Sequence, residues 1–565
     1  MRRVVILAAT LGSLAMPTGN ATADEPKSTR TTPAVATQGM VATSEPLAVE
    51  AGLAVLEAGG NAIDAAVAAG AVIGLTEPMS CGVGGDLFAI VWDAKTKRLY
   101  GLNASGRAPY RATRQFFAER GLSEIPTYGP LTWSVPGCVD GWDQLLRRFG
   151  TKPLGELLQP AIRLASDGFK VAPIIGRSWH AAENLLERWP DSAETYMPGG
   201  AAPGPGSTFR NPNLARTYGL IAEGGRDAFY RGTIAEEIVE ASGKAGGLFI
   251  RRDFLDHTSD WVDPVSTNYR GYDVWELPPN GQGIAALQML NLLESFDLKS
   301  MQHNSADYLH LLIEAKKLAF EDRARYYADP AFENVPVKEL ISKGYANRRR
   351  SLIDPARAQR EIALEDPRLG ASETIYMTVV DKDRNAISYI QSNYHAFGSG
   401  VVPGRLGFAL QNRGNLFALD DTHPNRLEPH KRPFHTIIPA FVTRDGKPWM
   451  SFGVMGGDMQ PQGHVQVLLN MIEFGMDPQA AGAAARFQHL GSSTPTGRVM
   501  KDGGEVALER AIDREAVAGL RVKGHQISSA SASYGGYQAI RIDLETGKLV
   551  GGSDTRKDGY AKGYQ

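Results

Sequence analysis

Residues 371–388 read ASETIYMTVVDKDRNAIS. From Thr374 onward the residues are β-formers, Ile375, Tyr376, Thr378, Val379 and Val380, and the polar stretch DKDRN (381–385) leads into a second such run at 386–392. The pattern predicts a hairpin whose first strand starts abruptly after the loop-like EDPRLGASE at 365–373. A threonine at the head of a strand has two readings. It packs, or it reacts. A threonine hydroxyl is a poor nucleophile and needs a base beside it, and no G-x-S-x-G elbow offers an alternative nucleophile elsewhere. If the chain were cut between Glu373 and Thr374, the freed α-amine, with a pKa near roughly 8, could take the hydroxyl proton. In an intact chain that nitrogen is an amide and cannot.

Outward from this hairpin, strands are predicted in WMSFGVM (449–455) and in GGYQAIRIDLETGKLVGGSD (535–554), with a helix in PQGHVQVLLNMIEFG (461–475) between them. Near the other end, Ser44 can cap a first helix with Pro46 in its opening turn and Gly59-Gly60 closing it. Asn61 can cap a second helix, with Asp64 near its positive end. LFAIVWDAKTKRLYGLNAS (87–105) reads as another hairpin. The middle, about 136–345, is mostly helical: GELLQPAIRLASDGFKVA (155–172) stops near Gly168. YLHLLIEAKKLAFEDRARYY (308–327) sets Leu309, Leu312, Ile313, Lys316 and Phe320 on one stripe, as in a surface helix. Sheets in both outer thirds with helices beside each predict a layered α/β domain assembled from distant segments.

The 565 residues carry 60 basic and 62 acidic side chains with no long basic run, which argues against nucleic acid or an anionic membrane as partner. Arg2 and Arg3, an apolar run from Val4 to Met16 and the small residues Ala21-Thr22-Ala23 form a predicted signal peptide, residues 1–23. The apolar run is too short to span a bilayer, so the mature protein is expected to be exported without membrane insertion, periplasmic or secreted. Cys81 and Cys138 are the two cysteines, too few for a disulfide framework, and whether they pair is left open. His423, His430 and His435 share a proline-broken loop whose spacing matches no zinc pattern.

Three further stretches could carry chemistry. Gly456-Gly457 stand between a strand and a helix, where unobstructed N–H groups can serve an oxyanion or simply turn the chain. Arg107, in LNASGRAP, can grip a carboxylate or lie solvated at the surface. The CGVGGD loop (Gly82, Gly84, Gly85) lacks the Lys-Ser/Thr of a phosphate loop, so nucleotide binding is not expected.

Together these segments resemble the γ-glutamyltransferase family of N-terminal-nucleophile hydrolases. The pieces are PLAVEAGLAVLEAGGNAIDAAVAA (46–69), GVGGDLF (82–88), SVPGCVDGW (134–142), LLQPAIRLASDGFKV (157–171), TIYMTVVDKDRNAIS (374–388), FGSGVV (397–402), KRPFHTIIPA (431–440), GVMGGD (453–458) and GGSDTRKDGYAKGY (551–564). The resemblance implies a four-layer αββα sandwich. It also implies self-cleavage before Thr374 into a large chain (24–373) and a small chain (374–565) that stay together as a heterodimer. Thr374 would form an acyl-enzyme with a small-molecule amide, steadied by Ser392, with Gly456 and Gly457 as the oxyanion hole and Arg107 on the substrate carboxylate. Water or an amine would then take the acyl group, with no metal or organic cofactor.

The same resemblance marks departures. Where γ-glutamyl-binding relatives hold the substrate ammonium with an asparagine, a glutamine or glutamate, and an aspartate, this chain has Tyr394 (beside Asn393), Arg413 and Leu416. The family's paired serines appear as His435 and Thr436, and the stretch from Phe417 to Lys431 is shorter than the usual lid. The first expectation is a self-processing amidase for γ-glutamyl, glutathione-like compounds; the alternatives are the same machinery acting on anionic acyl groups without the amino function, such as glutaryl amides or dicarboxylic acid monoamides, and an uncleaved, non-catalytic binding protein.

Overall fold

The computed structural model describes residues 31–360, 373–529 and 532–565; the expected signal peptide lies outside them. Ten elements build the part of the fold that matters for the site. They are β1 (Gly39–Thr43), α1 (Pro46–Glu57), α2 (Ala62–Thr76), β2 (Asp86–Asp93), α3 (Gly283–Leu293), α4 (Ala306–Tyr326), β3 (Glu373–Val380), β4 (Ala386–Tyr394), β5 (Lys447–Met455) and α5 (Met459–Ile472). The expected hairpin is there: β3 and β4 pair antiparallel, with an irregularity in register between Glu373 and Ile375, just where Thr374 sits.

Two seven-stranded sheets form the centre. One runs Tyr560–Tyr564, β1, β3, β4, β2, Arg98–Ala104, Asp260–Val262; the other runs Ala34–Ala36, Leu549–Ser553, Gly536–Ile542, β5, Ala440–Arg444, Tyr272–Glu276, Val265–Tyr269. Alternation along β3 makes the layers visible. Ile375, Met377 and Val379 pack with α1 and α2, whereas Tyr376 and Val380 pack with Phe441, Met455 and Ile540 of the second sheet. The far face of that second sheet buries Val454, Phe452 and Val442 against α3, α4 and α5. Helix, sheet, sheet, helix: the αββα sandwich follows from three stacked apolar layers. The sheets approach so closely at Gly453 that a Cβ there would lie 2.5 Å from the Tyr376 ring.

Local details differ from the sequence reading in three places. The cap of α1 is Glu45, whose carboxylate accepts from Ala48 N, while the Ser44 hydroxyl donates to Glu77. The helix read through 155–172 is two, Leu154–Leu157 and Gln159–Asp167, with Pro160 near the break and Gly168 at φ 96° ending the second. Helix α4 is no surface helix. Residues Tyr308–Ala324 are all buried, and its polar face meets protein instead of water: Lys316 bonds Ser492 and His489, Lys317 pairs with Glu314, and Arg323 pairs with Asp458. A 3.6-residue polar stripe marks a polar neighbour but does not say whether that neighbour is solvent.

Candidate active site

By the alternation that sends Tyr376 into the space between the sheets, Thr374 also faces inward there, and it is buried. Its Oγ1 lies 3.1 Å from Ser392 Oγ on the neighbouring strand β4. Ser392 Oγ also accepts from the Tyr394 N–H (2.9 Å) and from Arg413 Nη2 (2.8 Å). The other terminal nitrogen of Arg413 donates to Thr436 Oγ1 at 2.6 Å, and the guanidinium lies over the Tyr394 ring, 4.6 Å from its centre. Tyr394 closes β4 with φ at 81°, a left-handed conformation costly for a bulky side chain and found mainly where function or packing enforces it. Thus five of the residues singled out by sequence, Thr374, Ser392, Tyr394, Arg413 and Thr436, form one connected cluster.

Gly456 and Gly457 follow β5 at φ 113° and 56°, both in the region that favours glycine. Their carbonyls are engaged by Met459 N, Gln460 N and Gln282 Nε2, whereas neither N–H makes a backbone hydrogen bond among the described residues. Gln282 ties this turn to the cluster, because its amide also donates to Thr436 O at 2.7 Å. Arg323 in turn holds Gln282 Oε1 at 2.6 Å and pairs with Asp458. Burial pulls the Asp458 carboxyl up, yet Arg323 and Lys316 overcome this and keep it below the ordinary range.

His435 sits one layer behind. Its Nδ1 accepts from Ile437 N, which leaves the proton on Nε2, and Nε2 donates to Asp86 Oδ2 at 3.0 Å. Asp86 further accepts from Gly106 N, Gly137 N and Gln411 Nε2. Burial raises its carboxyl to about 7 against the pull of Arg413. Burial, with Arg413 and Arg432 nearby, keeps His435 neutral, its pKa well below the ordinary value. Arg413 itself is brought down to about 10 by burial and stays cationic at neutral pH.

The remaining predicted residues lie apart from the cluster's hydrogen bonds. Asn393 turns away, its N–H on Ser80 O and its amide toward Pro78 O. Arg107 donates to Thr258 O (3.0 Å) and pairs with Asp260 (3.5 Å), a carboxylate it shares with Arg432. Cys81 and Cys138 are buried free thiols. The three loop histidines occupy separate settings: His423 on Ala324 O, His430 stacked on Tyr110, His435 on Asp86.

Sequence reasoning missed Asp86, Gln282, Arg323 and Asp458. Asp86 and Asp458 each end a glycine-rich motif, GVGGD and GVMGGD, and that shared signal could have pointed to them. Beside the cluster is a cavity of about 280 Å³ whose lining includes Tyr394, Thr436, Asp458, Leu416, Phe417 and Phe434.

The αββα sandwich is that of the N-terminal-nucleophile hydrolases, and the chain is an enzyme of that class. Residues 48–564 match the family model Gamma-glutamyltranspeptidase, and the chain belongs to that family. It is 39% identical to the Glutathione hydrolase-like YwrD proenzyme of Bacillus subtilis, over 94% of this chain and 99% of the relative. It is 34% identical to the Oxamate amidohydrolase proenzyme of Klebsiella pneumoniae, over 94% and 99%. The crystal structure of a cephalosporin acylase from Bacillus halodurans superposes with a TM-score of 0.88 at 40% identity, covering 96% of this chain and 99% of that one. No helix among the described residues is long and apolar enough to cross a membrane.

Proposed function

We propose that this enzyme cuts itself between Glu373 and Thr374 and then hydrolyses amides of anionic acyl groups that lack an α-ammonium. The observation that carries the acyl preference is Arg413, a cation wholly buried between Ser392, Thr436 and the Tyr394 ring, where γ-glutamyl-binding relatives place an ammonium-binding side chain. A substrate ammonium beside it would be repelled, Leu416 in the cavity wall offers no carboxylate, and the Asp458 carboxylate in that wall is already paired with Arg323. An acyl carboxylate would be attracted instead.

In the reaction, Thr374 Oγ attacks the amide carbon while its proton passes to the free α-amine of the same residue. The carbonyl oxygen gathers charge facing the Gly456–Gly457 turn, whose carbonyls are already engaged elsewhere. Collapse breaks the C–N bond, the α-amine returns the proton to the leaving nitrogen, and water or an amine then releases the acyl group. Ser392, held by Arg413 and the Tyr394 N–H, fixes the rotamer of the nucleophile. The small chain would stay with the large one as a heterodimer, and relatives described as proenzymes support this order of events. An exported, periplasmic or secreted location remains the expectation from residues 1–23.

The test compares glutaryl-p-nitroanilide with its γ-glutamyl counterpart on the purified, cleaved protein. A kcat/KM at least tenfold higher for the glutaryl compound is expected. Equal rates, or preference for γ-glutamyl, would return the site to the ordinary γ-glutamyl specificity that family membership favours.

A further inference from the structure

We propose that Arg413 also sets the basicity of the catalytic base, lowering the pKa of the Thr374 α-amine so that a larger share of it is unprotonated at neutral pH. The inference rests on the scission reading above, since only a freed amine titrates. It is independent of which acyl group the enzyme prefers.

The argument is one of geometry and charge balance. Arg413 is wholly buried and stands two hydrogen bonds from the nucleophile, through Ser392 Oγ to Thr374 Oγ1. Among the described residues no carboxylate lies within 4.0 Å of its nitrogens, and its Nε has no hydrogen-bond partner. A cation so placed is weakly compensated, and a nearby like charge disfavours the ammonium form of an amine.

Most other groups around β3 are neutral or paired with one another. On β3 itself, Tyr376 is a neutral phenol bonded to Ser388. On β4, burial raises the Tyr394 phenol to about 12. On β1, Thr43 donates to Tyr376 O. On β2, Asp86 accepts from the neutral donors His435, Gly106, Gly137 and Gln411 and, where ionised, offsets part of the Arg413 charge. His435 is neutral. Beyond β5, Asp458 is spent on Arg323. Across the sheets, Glu276 accepts no charge partner but His464 and is kept protonated by burial. Arg541 lies opposite Met450, toward the other end of β5 from Gly456. On α2, Asp64 is engaged by Thr151 and Asn61. Beyond the end of β1, the Ser44 hydroxyl donates to Glu77, and burial raises the Glu45 carboxyl to about 8. Arg413 is thus the charge that hydrogen bonds tie to the nucleophile, with Asp86 opposing it.

For a cation in this position, an effective protein dielectric gives a depression of about one pH unit. The proton account is unchanged: the amine takes the Oγ proton as the Oγ–C bond forms and yields it to the leaving nitrogen as C–N breaks. A lower pKa leaves more of the enzyme with its base ready.

The experiment is the pH profile of kcat/KM with an uncharged acyl anilide, so that carboxylate recognition does not enter. Wild type, Arg413→Lys, Arg413→Gln and Asp86→Asn are compared as cleaved proteins. Alongside, trace acetylation followed by mass spectrometry titrates the Thr374 amine directly. Arg413→Gln is expected to move the acid limb and the amine titration up by about one unit, Arg413→Lys to leave them within a few tenths, and Asp86→Asn to move them down. If Arg413→Gln fails to cleave, the downward shift in Asp86→Asn carries the test. An acid limb and amine pKa unmoved in every cleaved variant would overturn the proposal. An active but uncleaved wild type would instead sink the scission reading beneath it.

Discussion

Asp86 shows how much a single carboxylate can organise. Four donors converge on it from the Arg107-bearing loop, from Gly137, from Gln411 and from His435. Asp86→Asn keeps an acceptor for the backbone N–H groups but turns an NH₂ toward His435 Nε2–H, a donor against a donor. The loss of that buried pairing is expected to cost about 1–3 kcal/mol, read as a lower denaturation midpoint. At Thr374 the expectation is sharper. Thr374→Ala should purify as one uncut chain with no turnover, and Thr374→Ser should both cut and turn over, more slowly; a denaturing gel with an anilide assay checks both. The double change Arg413→Gln, Leu416→Asp should swing preference toward γ-glutamyl-p-nitroanilide by tenfold or more, because it removes the cation and adds an ammonium partner.

Among the elements, β3 and β5 hold the two halves of the site and meet where Gly453 lies under the Tyr376 ring. Gly453→Val would force the sheets apart and is expected to cost about 1–3 kcal/mol through overpacking, seen as a lower thermal midpoint in the cleaved protein. The C-terminal strand region carries a second sensitive point. Asp554 is buried between Arg486 (2.9 Å) and Arg556 (2.9 Å). Burial alone would raise its carboxyl, but these two arginines hold it below the ordinary range. Folding thus favours its ionised form, so its contribution is complete above the unfolded carboxylate pKa, near roughly 4, and fades as pH falls through the lower folded value. Asp554→Asn should lower the urea midpoint at pH 7 by the equivalent of about 3–5 kcal/mol, with the difference from wild type narrowing below about pH 4.

The elements also show what the sequence made legible. The hairpin at Thr374, the capped helix at Asn61 and the Gly456–Gly457 turn follow from local signals, and all are present. What was not legible is contact across the sandwich. Nothing local to Arg413 says that it bonds Ser392, twenty-one residues back, and Thr436 at once. Nor could the stripe on α4 reveal that Arg323 reaches Asp458 instead of water. Arg107 illustrates the converse: a loop arginine suited to a carboxylate is paired with Asp260.

For the whole molecule, the topology joins what scission would separate. In the sheet that holds Thr374, strands from before and after residue 374 are interleaved: Tyr560–Tyr564, β1, β3, β4, β2. The other sheet mixes them too, with Ala34–Ala36 beside Leu549–Ser553 and Ala440–Arg444 beside Tyr272–Glu276. Neither product could bury its strands alone, so the two chains should co-elute on size exclusion in native buffer and separate only in denaturant.

The most direct test of the central claim is intact-mass spectrometry of active protein, with N-terminal sequencing of whatever species it resolves. Two polypeptides, the smaller beginning at Thr374, are predicted to account for all the activity. Activity residing in a single species with the bond between residues 373 and 374 unbroken would contradict it.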